Sequence, residues 1–133
     1  MKEGLGSYIW PNGSTYKGQW EHNSINGFGI QEWSDGRRYE GEFSESLMNG
    51  FGFYAFSDGK TYQGYYLKDK KHGYGIYSWT DGKRYQGWWD DGKQHGYGIF
   101  IKPNGEKRCG IWKDGKKESW LEDHEVEEIK MKE

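Results

Sequence analysis

His72 and His95 stand 23 residues apart, and imidazoles at a regular spacing raise the question of a metal site. Neither has a cysteine or a second histidine at the short spacing that zinc ligation uses, so each reads as a polar residue preceding a glycine. His22 and His124 join no cluster either. Asp35, Asp58 and Asp81 form an acidic row on the same step, but each lies in an Asp-Gly pair, where the carboxylate caps backbone amides of a turn. Gly73-Tyr74-Gly75 lacks the following helix N-terminus that would bind phosphate. Cys109 has Arg108 beside it, yet a nucleophile also needs a base, an oxyanion site and a pocket to hold them. The expectation is no enzyme, no metal and no cofactor.

The same step runs through the whole chain and decides what kind of elements carry these residues. Gly18, Gly41, Gly64, Gly87 and Gly110 recur every 23 residues, and two further glycine series keep that interval. A fixed period means a stack of one supersecondary unit with no central pocket. Tyr16-Lys17-Gly18-Gln19-Trp20 and its copies alternate at period two, as do Gly27-Phe28-Gly29-Ile30 and its copies, so each unit is a pair of strands. Asn23, Asp69, Gly92 and Gly115 tolerate the positive φ of a hairpin connection, with Ser46 the exception at that position. Asn12-Gly13, Asp35-Gly36, Asp58-Gly59, Asp81-Gly82 and Asn104-Gly105 supply tight turns between units.

With 133 residues, 30% of them charged, and a mean hydropathy of -1.19, the chain would suit a disordered segment were 19% of it not aromatic. It should fold on rings in place of aliphatics. One cysteine leaves no internal disulfide framework and fits a reducing compartment; no apolar run approaches a membrane span, and Met1-Lys2-Glu3-Gly4 carries no signal-peptide stretch. A cytoplasmic setting is expected. Net charge is -2, split between an array with 17 basic and 14 acidic side chains and an acidic tail, residues 118–133. So small and scattered a basic surplus predicts no nucleic-acid binding.

Pairing Trp20 with Gly27, Gly18 with Gly29 and Tyr16 with Gln31 puts rings and glycines on one face, with Phe28 and Ile30 on the other. Glycine at fixed strand positions leaves clearance for something laid over the backbone. A sheet without a covering layer should also keep an exposed aromatic strip.

The units, such as Tyr62-Gln63-Gly64-Tyr65-Tyr66 followed by Asn49 or His72 before Gly-x-Gly and then Asp-Gly, resemble the MORN (membrane occupation and recognition nexus) repeat, whose pattern is Tyr-x-Gly-x-Trp…His-Gly-x-Gly…Asp-Gly. The likeness covers roughly residues 4–117, as four complete copies flanked by partial ones. It implies an all-β, elongated, slightly curved single-layer antiparallel meander and a protein-binding or scaffold role, often on cytoskeletal, ciliary or membrane-associated assemblies. Contact with phospholipid is a further implication. Arrays of this kind are also found attached to enzymes such as lipid kinases, and no such domain is expected here. The pattern breaks at Glu3, Lys102 and Arg108, positions that suit caps.

Residues 1–117 are therefore expected to form the array and 118–133 a capping tail, with Ser119-Trp120-Leu121-Glu122 opening a short helix and Trp120, Leu121, Val126 and Ile129 docking on the last hairpin. The expected partner is a protein segment, an amphipathic helix or an extended peptide, laid in a groove on the ring-and-glycine face. Tyr16, Trp20, Tyr39, Phe43, Tyr62, Tyr66, Tyr85, Trp89 and Trp112 are the candidate contact residues. The alternatives are peripheral binding to anionic membrane through Lys17, Lys60, Lys83 and Arg84, opposed by Glu40, Glu42, Asp90 and Asp91, and self-association through open strand edges.

Overall fold

The computed structural model describes residues 4–122. They form one antiparallel sheet whose strands lie in chain order: β1 (Gly4–Ile9), β2 (Thr15–Glu21), β3 (Ser24–Glu32), β4 (Arg38–Ser44), β5 (Leu47–Ala55), β6 (Thr61–Leu67), β7 (Lys70–Ser78), β8 (Arg84–Asp90), β9 (Lys93–Ile101), β10 (Lys107–Lys113) and β11 (Lys116–Trp120). At about 4.8 Å per strand spacing the sheet extends roughly 50 Å across its strands. Substantial contacts join only consecutive strands, as expected of an array in which each unit leans on its neighbours.

Two kinds of turn alternate. Two-residue loops follow β2, β4, β6, β8 and β10, and both loop residues take positive φ, from His22 (51°) and Asn23 (65°) to Asp114 (50°) and Gly115 (85°). This is the handedness that matches the twist of paired strands. Ser46, at φ 67°, adopts it too. Its N–H donates to Ile25 O at 2.8 Å and its Oγ accepts from Ile25 N at 3.1 Å, so the preceding unit holds the turn open. Asp69, Gly92 and Gly115 make the same backbone bond to Met48, Lys71 and Gln94. The other turns are longer loops such as Trp10–Ser14, closed by Gly13 N–H to Trp10 O at 2.9 Å. In them Asn12, Asp35, Asp58, Asp81 and Asn104 accept the amide two residues on, the turn-capping role read from the sequence.

Gly18 faces Gly29 and Tyr16 faces Gln31 as the alternation requires, but Trp20 pairs with Ile25 and not with Gly27. The two-residue turn fixes Glu21 against Ser24, and a bulge then places three residues, Asn26 to Phe28, opposite Gln19 alone. Two extra residues preserve parity, so no side chain changes face. Gly27 instead faces Phe43 of the next unit.

The tail differs from expectation. Ser119 and Trp120 lie in β11, paired with Ile111 and Gly110, so Ser119 does not cap a helix. Trp120 does dock on the last hairpin, 5.9 Å from Trp112 and 6.4 Å from Phe100. The rest of the expected helix, including Val126 and Ile129, lies outside the described residues.

Candidate functional site

Tyr16, Tyr39, Tyr62 and Tyr85 are the most deeply buried large side chains, at most 1% exposed. Each ring folds flat over a glycine of the following strand: an alanine methyl at Gly29, Gly52, Gly75 or Gly98 would strike its ring atoms. Each hydroxyl then donates to the carbonyl three residues on, Tyr16 to Gln19, Tyr39 to Glu42, Tyr62 to Tyr65 and Tyr85 to Trp88, at 2.8 to 3.0 Å. Those carbonyls sit in the bulges, where the ladder register shifts, so the ring both fills the glycine clearance and satisfies an acceptor there.

Between these tyrosines stand the second rings of each unit. Tyr39 lies edge to face with Phe43 at 5.0 Å and Tyr66 at 5.5 Å, Tyr62 with Tyr66 at 5.1 Å and Trp89 at 5.5 Å, and Tyr85 with Trp89 at 5.3 Å and Trp112 at 4.8 Å. Every such pair adds about 0.5–1.5 kcal/mol to the area it buries. Phe43, Tyr66, Trp89 and Trp112 are at most 7% exposed, and Trp20, near the β1 edge, is partly buried. The sequence brought these nine rings together on one face as contact residues. The structure makes eight of them the core: the four tyrosines occupy the glycine clearance and the second rings pack edge to face between them.

What remains accessible on the glycine face includes an outer row that the contact assignment omitted: Trp33, Phe56, Tyr77, Trp79 and Phe100, linked through the buried Tyr54 in successive contacts of 4.6 to 6.4 Å. The five accessible rings are each partly buried. Trp33, Phe56 and Trp79 were visible as the ends of the second strands, but nothing in their spacing told core from rim. Tyr77, Trp79 and Trp89, with Lys93 and Gln94, line an open hollow of about 270 Å³ between the turns at Gly92 and Gly115.

Charge divides by face. The carboxylates on β1–β10, Glu21, Glu32, Glu40, Glu42 and Asp90, all take the parity of Phe28 and point away from the glycines. Of the basic strand residues, Lys71, Arg108 and Lys117 share the glycine parity, while from the turns Arg37 and Lys83 lie over Trp33 and Trp79, each paired with an aspartate. Lys71 Nζ lies 5.3 to 5.7 Å from the ring centres of Trp89, Tyr62 and Tyr77, and burial among them holds its ammonium below the usual lysine value. Arg108 and Lys117 cover Trp120 at 4.6 and 4.5 Å. Of the basic residues weighed for a membrane surface, Lys60 and Lys83 pair with Asp58 and Asp81 at 3.1 and 3.3 Å, while Lys17 and Arg84 point to the opposite face. Among the described residues no cluster of three His, Cys, Asp or Glu side chains could hold a metal ion.

A family model for the MORN repeat matches residues 1–15, 16–37, 39–61, 62–84 and 85–107. No curated protein matches the chain at a significant level.

Proposed function

The chain belongs to the MORN repeat family, and on that footing we propose that it is a non-catalytic scaffold which holds a segment of a partner protein across its glycine face, in a cytoskeletal or ciliary assembly. The observation that carries this reading is the partly buried outer aromatic row, with Lys71 held among its rings and those of the core. Rings with an apolar body and a polar tip, beside unopposed Lys71, suit a helix or extended segment that alternates apolar side chains with carboxylates. The inner rings support it indirectly. Because they are fixed in the core, the outer ones are held in place before a partner arrives, which lowers the ordering cost of binding.

Partner contact falls on Tyr77 and Trp79 at the hollow and on Lys71 beside the Tyr77 and Trp89 rings, while Tyr66 and Trp89 act through packing. Once a partner that co-purifies with the native chain is identified, Tyr77→Ala with Trp79→Ala should weaken its binding at least ~30-fold, as removal of aromatic anchors does. Lys71→Glu should weaken it further at low salt than at high salt. Unchanged affinity in a double variant that keeps its circular dichroism would overturn the assignment.

A further inference from the structure

The two faces of the sheet are not covered alike. On the glycine face the inner tyrosines lie over the backbone and act as their own second layer. Among the described residues the opposite face has no such layer, and Phe51, Phe53, Tyr65, Tyr74, Trp88 and Tyr97 stand on it 39% to 51% exposed. Phe51 pairs across strands with Tyr65, Tyr74 with Trp88, and Tyr97 with Ile111; one step along, Phe53, Gln63, Ile76, Gln86, Ile99 and Cys109 form a parallel row. From β5 to β10 these two rows contain no charged residue. The rings are ordered against one another, Phe51 on Tyr65 at 5.4 Å and Tyr74 on Trp88 at 5.8 Å, both edge to face.

We propose that this face is a homodimer interface: two copies of the chain pack patch to patch, converting two open sheets into a sandwich. Three observations select a second copy. First, a half-exposed ring offers about 100 Å², so six rings offer roughly 600 Å² per chain, the upper end of what a monomer leaves bare. Two such patches bury on the order of 1,200 Å² before the isoleucines and glutamines between them are counted, enough for a specific interface. Second, a two-fold axis brings each patch against itself, and a patch without charge meets no like charge there. Third, six strands span about 24 Å, the breadth a second sheet of the same kind matches in aligned packing. Glu40 and Glu42 on β4 bound the patch on one side. With the axis between β7 and β8 they fall beyond the other copy's β10.

This interface lies on the face opposite the proposed partner surface, so the two readings fail separately. Sedimentation velocity on the full chain should show the 15.7 kDa monomer giving way to a dimer as concentration rises from ~1 to ~100 μM. Tyr65→Glu with Trp88→Glu should raise the dissociation constant at least ~30-fold. Tyr65→Thr with Trp88→Thr, which keeps strand propensity, should do the same if the charged variant fails to fold. Cys109, in the second row of the patch, reports on the unmodified protein: its alkylation by excess iodoacetamide should slow several-fold over the same concentration range as it becomes covered. A monomer at ~100 μM, a dimer that survives in a folded double variant, or a concentration-independent alkylation rate would overturn the proposal; the second result would assign association to the strand edges.

Discussion

Gly64→Ala is expected to cost at least about 3 kcal/mol, a large part of the ~5–15 kcal/mol that holds a domain of this size together. The methyl group would sit 2.5 Å from Gly75 Cα and 2.7 Å from Tyr74 O, both backbone atoms of the neighbouring strand, with Tyr62 Oη 2.8 Å away. No rotamer change relieves contacts with backbone; the strands must separate, and the hydrogen bonds on either side of the Gly64–Gly75 pair must lengthen with them. Gly6 occupies the same column of the sheet, opposite Gly18, yet an alanine methyl there meets only the Trp20 ring at 3.4 Å. Gly6→Ala should therefore be neutral or slightly stabilising, since alanine narrows the unfolded ensemble. Urea unfolding followed by circular dichroism reads both variants. Equal effects at Gly6 and Gly64 would mean that glycine matters here for backbone freedom and not for clearance.

The contrast between Gly6 and Gly64 also marks how far the sequence could be read. The 23-residue step, the alternation within each unit and the turn residues were enough for a chain of hairpins and the division of side chains between faces, while the single-layer meander was what the family resemblance implied. Parity survived even the bulge at Gln19, which the pattern did not reveal, because that bulge adds two residues and not one. Ser46 was opaque for a different reason: its positive φ is held by the hydroxyl and amide bonds to Ile25, a tertiary effect outside local propensity. The ring positions were legible as a face but not as a depth. Whether Tyr62 stands up as a contact or lies down over Gly75 depends on its side-chain torsions, and a glycine opposite leaves room for both. The bulge carbonyl of Tyr65, waiting for a donor, favours the flat position, and that acceptor becomes visible only once the register is known. The exposed aromatic strip expected of an uncovered sheet does exist in force, but on the face of Phe51, Tyr65 and Trp88.

Alkaline solution should unfold this chain cooperatively, because the core is built from phenols. Burial pushes the hydroxyls of Tyr39, Tyr62, Tyr66 and Tyr85 well above the ordinary tyrosine value, with the Glu42 carboxylate adding to the effect at Tyr39. Below pH ~10 both folded and unfolded chains keep these protons, and the four groups contribute no pH dependence. Above it the unfolded chain releases protons that the folded chain retains, so stability falls as pH rises and keeps falling up to the folded values. Four protons correspond to at most ~5 kcal/mol per pH unit; a one-layer sheet shields its core less than a thick one, so about 2–5 kcal/mol per unit is expected. Against a stability of ~5–15 kcal/mol this places the transition within a few pH units above 10. Tyrosinate absorbance of the buried rings should then rise in step with the loss of far-ultraviolet circular dichroism. Ionisation of all the rings with the sheet signal intact at pH ~12 would contradict this account of the core. Tyr62→Phe supplies the control: it gives up the bond to Tyr65 O, worth ~1 kcal/mol, and one of the four titrating groups. The variant should be less stable than the parent at neutral pH and lose stability less steeply above pH ~10, so that the gap between the two narrows as the solution becomes more alkaline.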